Sequence, residues 1–436
     1  MKRTFAFIIS LILIASMVGC EKDGLDTQNP LLPSHADDDT NTSSDFQKNM
    51  HQSTTDYLCF ACETEDGIYF QWDAYGYYLD KAASKATILC AKPECEHNDK
   101  TCNARLSARS LWFYDGKLYF FNGNKVIENG QTVDYGDRIY SIDPDGTKRQ
   151  AVQDLEFVPS GDALAAGQKE PILHRGITYF PYSGVLYALP LGGDIEDAVK
   201  IWGEEIEADD SHIGNLNRLT YTLWADGNTI YFMVNLHQSN GIYKDTLFAY
   251  DTNTKEVSQV WKTPDARDVG EWTTTGVSVS QWYVMDGAIY FYLSGGDFWK
   301  TNLSTGEAVK LADTHKKVEF GSAVFTDEYL CIINDAPEQR NAVSSYGTQE
   351  YIGGDTVYVY GLDGTFIKEL SLKTLYDEFD TLTHCSLTFC TGGNIYFLAD
   401  ASTWSDPAGG VSHIISNRIL CRVNIEVGEI TQIYNW

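Results

Sequence analysis

The chain has 436 residues, with 32 Lys and Arg against 61 Asp and Glu, a formal net charge of −29. A field of that sign repels phosphates and anionic headgroups, so nucleic-acid binding is excluded; it keeps an exposed protein soluble or recruits a cation or a basic partner. The length admits two or three average domains or one large all-β fold.

The chain opens with Lys2 and Arg3, an apolar run from Thr4 to Val18, and Gly19-Cys20. That is the form of a secretion signal, and the run falls short of the roughly 20 apolar residues a spanning helix needs. Met17-Val18-Gly19-Cys20 resembles the lipobox of bacterial lipoproteins, with Met where Leu is usual. The resemblance implies a signal peptide over 1–19 and a lipid such as palmitate on Cys20. It also implies a cell-membrane location exposed to the extracellular side, the lipid on Cys20 being the contact with the membrane. Residues 20–56 are rich in Asp, Asn, Ser, Thr, Gln and Pro, including Asp37-Asp38-Asp39. So little apolar surface does not offset chain entropy, and the stretch is expected to be a flexible tether.

From residue 57 to 436 one phrase recurs, an acidic turn followed by Ile/Leu-Tyr-Phe. It is written at Asp66-Gly67-Ile68-Tyr69-Phe70, Asp115-Gly116-Lys117-Leu118-Tyr119-Phe120 and Asp286-Gly287-Ala288-Ile289-Tyr290-Phe291. Looser copies lie at Gly176, Gly227, Asp327 and Gly393, which makes seven. A tight Gly-containing turn running into β-branched and aromatic residues is a hairpin signal. A second hairpin follows each first one, as at Arg138-Ile139-Tyr140-Ser141-Ile142-Asp143-Pro144-Asp145-Gly146. The six intervals between Tyr69 and Tyr396 average about 55 residues. Two hairpins per unit give a four-stranded antiparallel blade, and blades repeated about an axis form an all-β β-propeller. Seven blades are expected; six or eight result if one weak copy is misread. Ile142-Asp143-Pro144-Asp145-Gly146-Thr147 and Leu362-Asp363-Gly364-Thr365 resemble TolB-type and low-density-lipoprotein-receptor-type propeller repeats. The Tyr-Trp-Thr-Asp element of the receptor propellers is absent, so the resemblance implies the fold and not receptor-like ligands.

The connections within both hairpins of a unit read as tight turns and fall at one end of the propeller; the remaining connections fall at the other and include several long ones. Long loops on a rigid scaffold carry function, or vary because nothing constrains them. Trp202, His212, His237, Tyr346, Tyr351, Trp404 and His413 are the candidate ligand contacts on that face. The remaining aromatics are expected to pack between blades.

The most distinctive local motif is Cys90-Ala91-Lys92-Pro93-Glu94-Cys95-Glu96-His97, followed by Cys102-Asn103-Ala104. It resembles a segment of propeller lipoproteins from clostridia-like bacteria. Three thiols and one imidazole this close can hold a structural zinc, and in an oxidising exterior they can instead form a disulfide, for example Cys95 with Cys102. Cys59 and Cys62, and likewise Cys385 and Cys390, lie an odd number apart and are expected on opposite strand faces. Cys59, Cys62, Cys331 and Cys421 read as small buried apolar residues.

No zinc-helix, serine-elbow or phosphate-loop motif is present, and Ser141-Ile142-Asp143-Pro144-Asp145-Gly146 misses the Asp-box spacing by one residue. Asp297 and Asp355 read as turn residues. The expectation is therefore a monomeric, surface-anchored binding or scaffolding module for a protein, peptide or glycan. The alternative is an extracellular hydrolase or lyase with paired carboxylates about 5 to 9 Å apart on the same face.

Overall fold

The computed structural model describes residues 61–435 except 73, 81–82, 84, 99–100, 107–109, 123–124, 129–130, 135–137, 156–170, 183–184, 204–217, 238–242, 263–278, 294–295, 315–320, 335–337, 340–350, 353–355, 373–383, 392 and 406–411. The stretches expected to be a signal peptide and a tether, with Cys20 and Cys59, lie outside these residues.

The chain folds as a seven-bladed β-propeller of four-stranded antiparallel sheets, with almost no helix among the described residues. Blade 1 contains β1 (Ala61–Glu63), β2 (Gly67–Trp72), β3 (Tyr75–Asp80) and β4 (Thr87–Ile88). Blade 2 contains β5 (Ser110–Tyr114), β6 (Lys117–Asn122), β9 (Arg138–Ile142) and β10 (Gln150–Asp154), with the separate hairpin β7 (Lys125–Glu128) and β8 (Gln131–Asp134) inserted between its second and third strands. Blades 3 to 7 span 172–203, 218–262, 279–313, 321–371 and 384–435. A further two-stranded hairpin, Glu338–Gln339 with Tyr351–Ile352, is inserted in blade 6.

The recurring phrase has a structural meaning. Its Tyr and Phe sit on the second strand of every blade but the sixth, where Tyr329 is followed by Leu330, and in blades 1 to 5 the Phe pairs across to a third-strand aromatic: Phe70 with Tyr77, Phe120 with Tyr140, Phe180 with Tyr187, Phe232 with Phe248, Phe291 with Trp299. These pairs are the packing layer between neighbouring blades. Trp202, on the last strand of blade 3, sets its ring against Phe232 and Phe248 of blade 4, at 5.6 and 4.7 Å between centroids. Trp261 repeats this from blade 4 onto Phe291 of blade 5 at 4.2 Å. In all blades but the first, the register between third and fourth strands shifts once, and the bulge adds twist to the outer edge.

The ring closes between blades 7 and 1, where Ala61, Ile68, Phe70, Trp72, Leu79 and Ala86 share one buried cluster with Tyr396, Leu420 and Ile433. The Ala86 amide donates to the Ile433 carbonyl at 3.3 Å.

The two ends of the propeller differ as the sequence implies. Connections between first and second strands have two or three residues and those between third and fourth have four to eight, all at one end. At the other end the connections between blades run from seven to 21 residues, and those between second and third strands reach 21. Part of this second rim is not loop: blade 4 has strands of nine residues at Arg218–Asp226, Thr229–His237 and Tyr243–Asp251, and blade 7 has Asn394–Ser405 and Ser412–Asn424. At about 3.4 Å per residue the blade 7 hairpin runs some 20 Å beyond a six-residue strand.

Candidate metal centre

The Cys90–Cys102 segment follows β4 and leads to blade 2. Its path is fixed at both ends by backbone bonds. Leu89 N donates to Gly76 O at 2.9 Å, Gly76 N to Ala104 O at 2.7 Å, and Leu106 N to Ala74 O at 2.8 Å. From the other side the turn after β9 supports it: Asn103 Nδ2 donates to Gly146 O at 2.8 Å, and Arg149 Nη1 to Cys102 O at 3.2 Å. The Lys92 ammonium donates to the Thr101 carbonyl and closes the neck of the excursion.

Within it, Cys90 Sγ, Cys95 Sγ, Cys102 Sγ and a His97 ring nitrogen all lie within 4.8 Å of one another. His97 Nδ1 stands 3.3 Å from Cys102 Sγ. Around a tetrahedral ion with Zn–S of about 2.3 Å and Zn–N of about 2.0–2.1 Å, ligand atoms are about 3.5–3.8 Å apart, so a small contraction of this set satisfies the geometry. His97 reaches its place from a left-handed backbone, φ 56°. The set can therefore hold a metal ion.

The hydrogen bonds around the sulfurs suit thiolates. The Lys92 and Asn103 amides donate to Cys90 Sγ, and the Ala104 amide to Cys102 Sγ. Burial alone raises the Cys90 pKa, but those amides together with hydrogen bonds to Cys102 and Cys95 outweigh it and bring the thiol below its ordinary value. Cys102, fully buried, is pushed up to about 12, first by burial and then by its hydrogen bond with Cys95. A metal ion arriving here would displace the remaining protons, as thiolate ligation requires.

Every cysteine whose state the structure describes is a free thiol: Cys62, Cys90, Cys95, Cys102, Cys331, Cys390 and Cys421. A Cys95 to Cys102 disulfide would remove two of the four donors at the centre. Cys62, Cys331 and Cys421 are buried among apolar side chains, as their sequence context implies. The strand His384–Thr391 that carries both Cys385 and Cys390 shifts register between Leu387 and Phe389. Cys390 neighbours Cys331 of blade 6, whose thiol hydrogen-bonds it.

The rim candidates divide into three groups. His212 and Tyr346 lie outside the described residues, as does Asp355, read from the sequence as a turn residue. Tyr351, His237, Trp404 and His413 are in strands rather than loops: Tyr351 opposite Gln339, His237 opposite Arg218 and Tyr243, Trp404 opposite His413. Trp202 lies within the strand Val199–Gly203, and its ring is engaged between blades 3 and 4. Asp297 is likewise a strand residue and not a turn residue, paired with Lys310 at 2.6 Å. Sequence reasoning missed Lys92, Asn103, Gly146 and Arg149 as the groups that hold the cysteine segment. Asn103 lay within the motif itself, whereas Gly146 and Arg149 are more than 40 residues away and no local signal links them to it.

No protein-family model matches the chain, and no curated protein does. Solved structures of similar form include the computationally designed Ika8 protein, at 10% identity and TM-score 0.36, covering 85% of this chain and 98% of that one. The Pan2 WD40 domain of Neurospora crassa matches at 12% identity and TM-score 0.39, covering 73% and 76%. BamB from Moraxella catarrhalis matches at 13% identity and TM-score 0.34, covering 82% and 81%.

Proposed function

We propose that the chain is a lipoprotein, anchored through Cys20 to the outer face of the cell membrane, whose propeller is a binding or scaffolding module for a protein, peptide or glycan. The observation that carries the binding reading is the asymmetry of the two ends: one is trimmed to turns of two to eight residues, while the other bears the long connections and the extended hairpins of blades 4 and 7. A rigid ring that concentrates its variable chain on one rim presents a recognition surface there. Residues 402–415 and the segments around His237 and Tyr351 are the parts to probe. In a screen of wall glycans and peptides, trimming 402–415 to a two-residue turn is expected to abolish binding. Undiminished binding by that variant would move the site elsewhere. Turnover of a bound glycan would favour the hydrolase reading instead. Cys20→Ala is expected to release the protein into the medium and to lose incorporation of labelled palmitate.

The same proposal assigns a structural zinc to Cys90, Cys95, His97 and Cys102. Four convergent donors, two of the sulfurs already accepting amide hydrogen bonds, support it over a chance cluster. Protein purified without chelator or oxidant is expected to carry one equivalent of zinc, and a value well below one with all three thiols reactive would remove the assignment.

A further inference from the structure

Blade 1 differs from the other six in its outer strand. Elsewhere the fourth strand is continuous over five or six residues: Gln150–Asp154, Val199–Gly203, Val257–Lys262, Ala308–Asp313, Phe366–Ser371 and Ile430–Asn435. In blade 1 it is β4, two residues that pair only with Tyr77 and Tyr78. The rest of the β3 edge is covered by a later piece of chain. Ala104 and Leu106 bond to Gly76 and Ala74, and Arg105 forms an antiparallel bridge with Tyr75. Leu89 N, from the first piece, bonds to Gly76 O, so the two pieces meet on the same residue. The outer strand of blade 1 is thus made in two halves, and the excursion between them is the cysteine segment.

The ligands stand at the cut ends. Cys90 follows the first half by one residue past Leu89, and Cys102 precedes the second half by two. Without a clamp, two short half-strands must each hold on by a few hydrogen bonds against the closure entropy of the excursion. An ion bonded to both ends makes them behave as one strand. Blade 1 is also where the ring closes, and Ala86, which bonds to Ile433 of blade 7, immediately precedes β4.

We infer that a thiophilic divalent ion held by Cys90, Cys95, His97 and Cys102 splices the divided outer strand of blade 1, and that closure of the ring between blades 1 and 7 depends on it. This rests on the zinc assignment above. The donor set of three sulfurs and one imidazole selects zinc, with cadmium or cobalt as substitutes, and rejects magnesium and calcium. The splice does not add a new element to the fold; it converts a loosely attached edge into a closing one.

The test is hydrogen exchange on the reduced full-length chain, stripped with chelator and then reloaded with zinc alone. Zinc at about a hundred times its Kd slows exchange by about a hundredfold wherever the opening that exposes an amide also releases the ion. Slowing is expected in 74–89, 104–106 and 430–435, with 288–293 in blade 5 unchanged as the internal reference. Cys95→Ser combined with His97→Ala removes ligands from the middle of the excursion, leaves both half-strands intact, and is expected to abolish the zinc effect. If one equivalent of zinc binds and the blade 1 and blade 7 segments exchange as in the stripped protein, the splice is overturned while the zinc assignment stands. If the stripped protein binds no zinc with its thiols reactive, both fall. Full protection by zinc in the double variant would also overturn the splice, because the ion would then act from another place.

Discussion

The seam between blades 1 and 2 and the seam between blades 4 and 5 cover equivalent aromatic pairs by opposite means. In blade 5 the Phe291 and Trp299 pair is covered by Trp261 reaching over from blade 4, and the inner strands add Trp224 against Trp282 and Tyr283. In blade 2 the Phe120 and Tyr140 pair has the Arg149 guanidinium over it, 5.6 and 5.4 Å from the ring centroids. Arg149 in turn holds the Cys102 carbonyl. Blade 1 has no fourth-strand Trp to offer, because its fourth strand is cut short. What an indole supplies by buried area in one seam is supplied in the other by a cation, a backbone clamp and the cysteine segment. Burial spreads its stabilisation over many weak contacts, whereas a clamp concentrates it in a few hydrogen bonds.

The largest expected effect comes from the apolar seam. Phe291→Ala removes a fully buried ring stacked on Trp261 and is expected to cost about 3–5 kcal/mol, read as a lowered urea midpoint at constant slope. A loss under about 1 kcal/mol would mean that the seam does not depend on this stack. Gly146→Ala strikes the clamped seam instead. Its φ is +80°, and an added Cβ would stand 2.7 Å from Leu89 C and 2.8 Å from Cys90 N, both backbone atoms. Strain and displacement together are expected to cost about 3 kcal/mol. Gly116→Ala, with φ +71° and open space around it, is the matched reference and is expected to cost about 1–2 kcal/mol from strain alone. Equal losses at the two positions would show that the cysteine segment does not bear on the turn after β9. Chelation comes next: stripping zinc held at a hundred times its Kd is expected to lower the opening free energy of the blade 1 and blade 7 segments by about 2.7 kcal/mol, read by hydrogen exchange, in the parent chain and equally in Phe291→Ala, the two seams being independent.

How legible these seams were depends on how local their causes are. The Ile/Leu-Tyr-Phe phrase betrayed the blades because turn, strand and packing residue fall within six positions, and it recurs at each unit. The four metal donors were legible for the same reason, all within thirteen positions of one another. Trp202 and Trp261 were not equally legible: both are seam residues, yet Trp202 sits next to a long connection and reads as a loop contact until its strand is seen. Asp297 was misread because a strand-opening Asp after Gly295-Gly296 has the same local signature as a turn Asp. The splice lay beyond the sequence altogether, since it rests on Ala104 and Leu106 returning to Gly76 and Ala74 about 30 residues back, with no repeated pattern to announce it.

The smallest expected effect separates the seams by pH. Tyr283 is buried against Trp224 and stacked on Phe325, and its Oη donates to Asp327 Oδ1 at 2.5 Å. Burial first, and then the Asp327 carboxylate, push its pKa far above the ordinary tyrosine value. Tyr231 and Tyr250 in blade 4 are pushed up to about 12, by burial and by a neighbouring Asp in each case. A raised folded-state pKa means that the native state keeps a proton the unfolded chain releases. This contribution is fully present below the unfolded value of about 10 and is lost as pH rises past it toward the folded value. Stability is therefore expected to decline above pH about 10, and each tyrosine that stays protonated adds about 1.4 kcal/mol per pH unit to the slope. Tyr283→Phe removes one such proton. Its Asp327 partner is exposed and can turn to water, so the variant is expected to fold and to show an alkaline slope shallower by that one increment in urea titrations between pH 8 and 11. An unchanged slope would mean that Tyr283 ionises in the native state, and hence that the aromatic seam opens to solvent more readily than its packing implies.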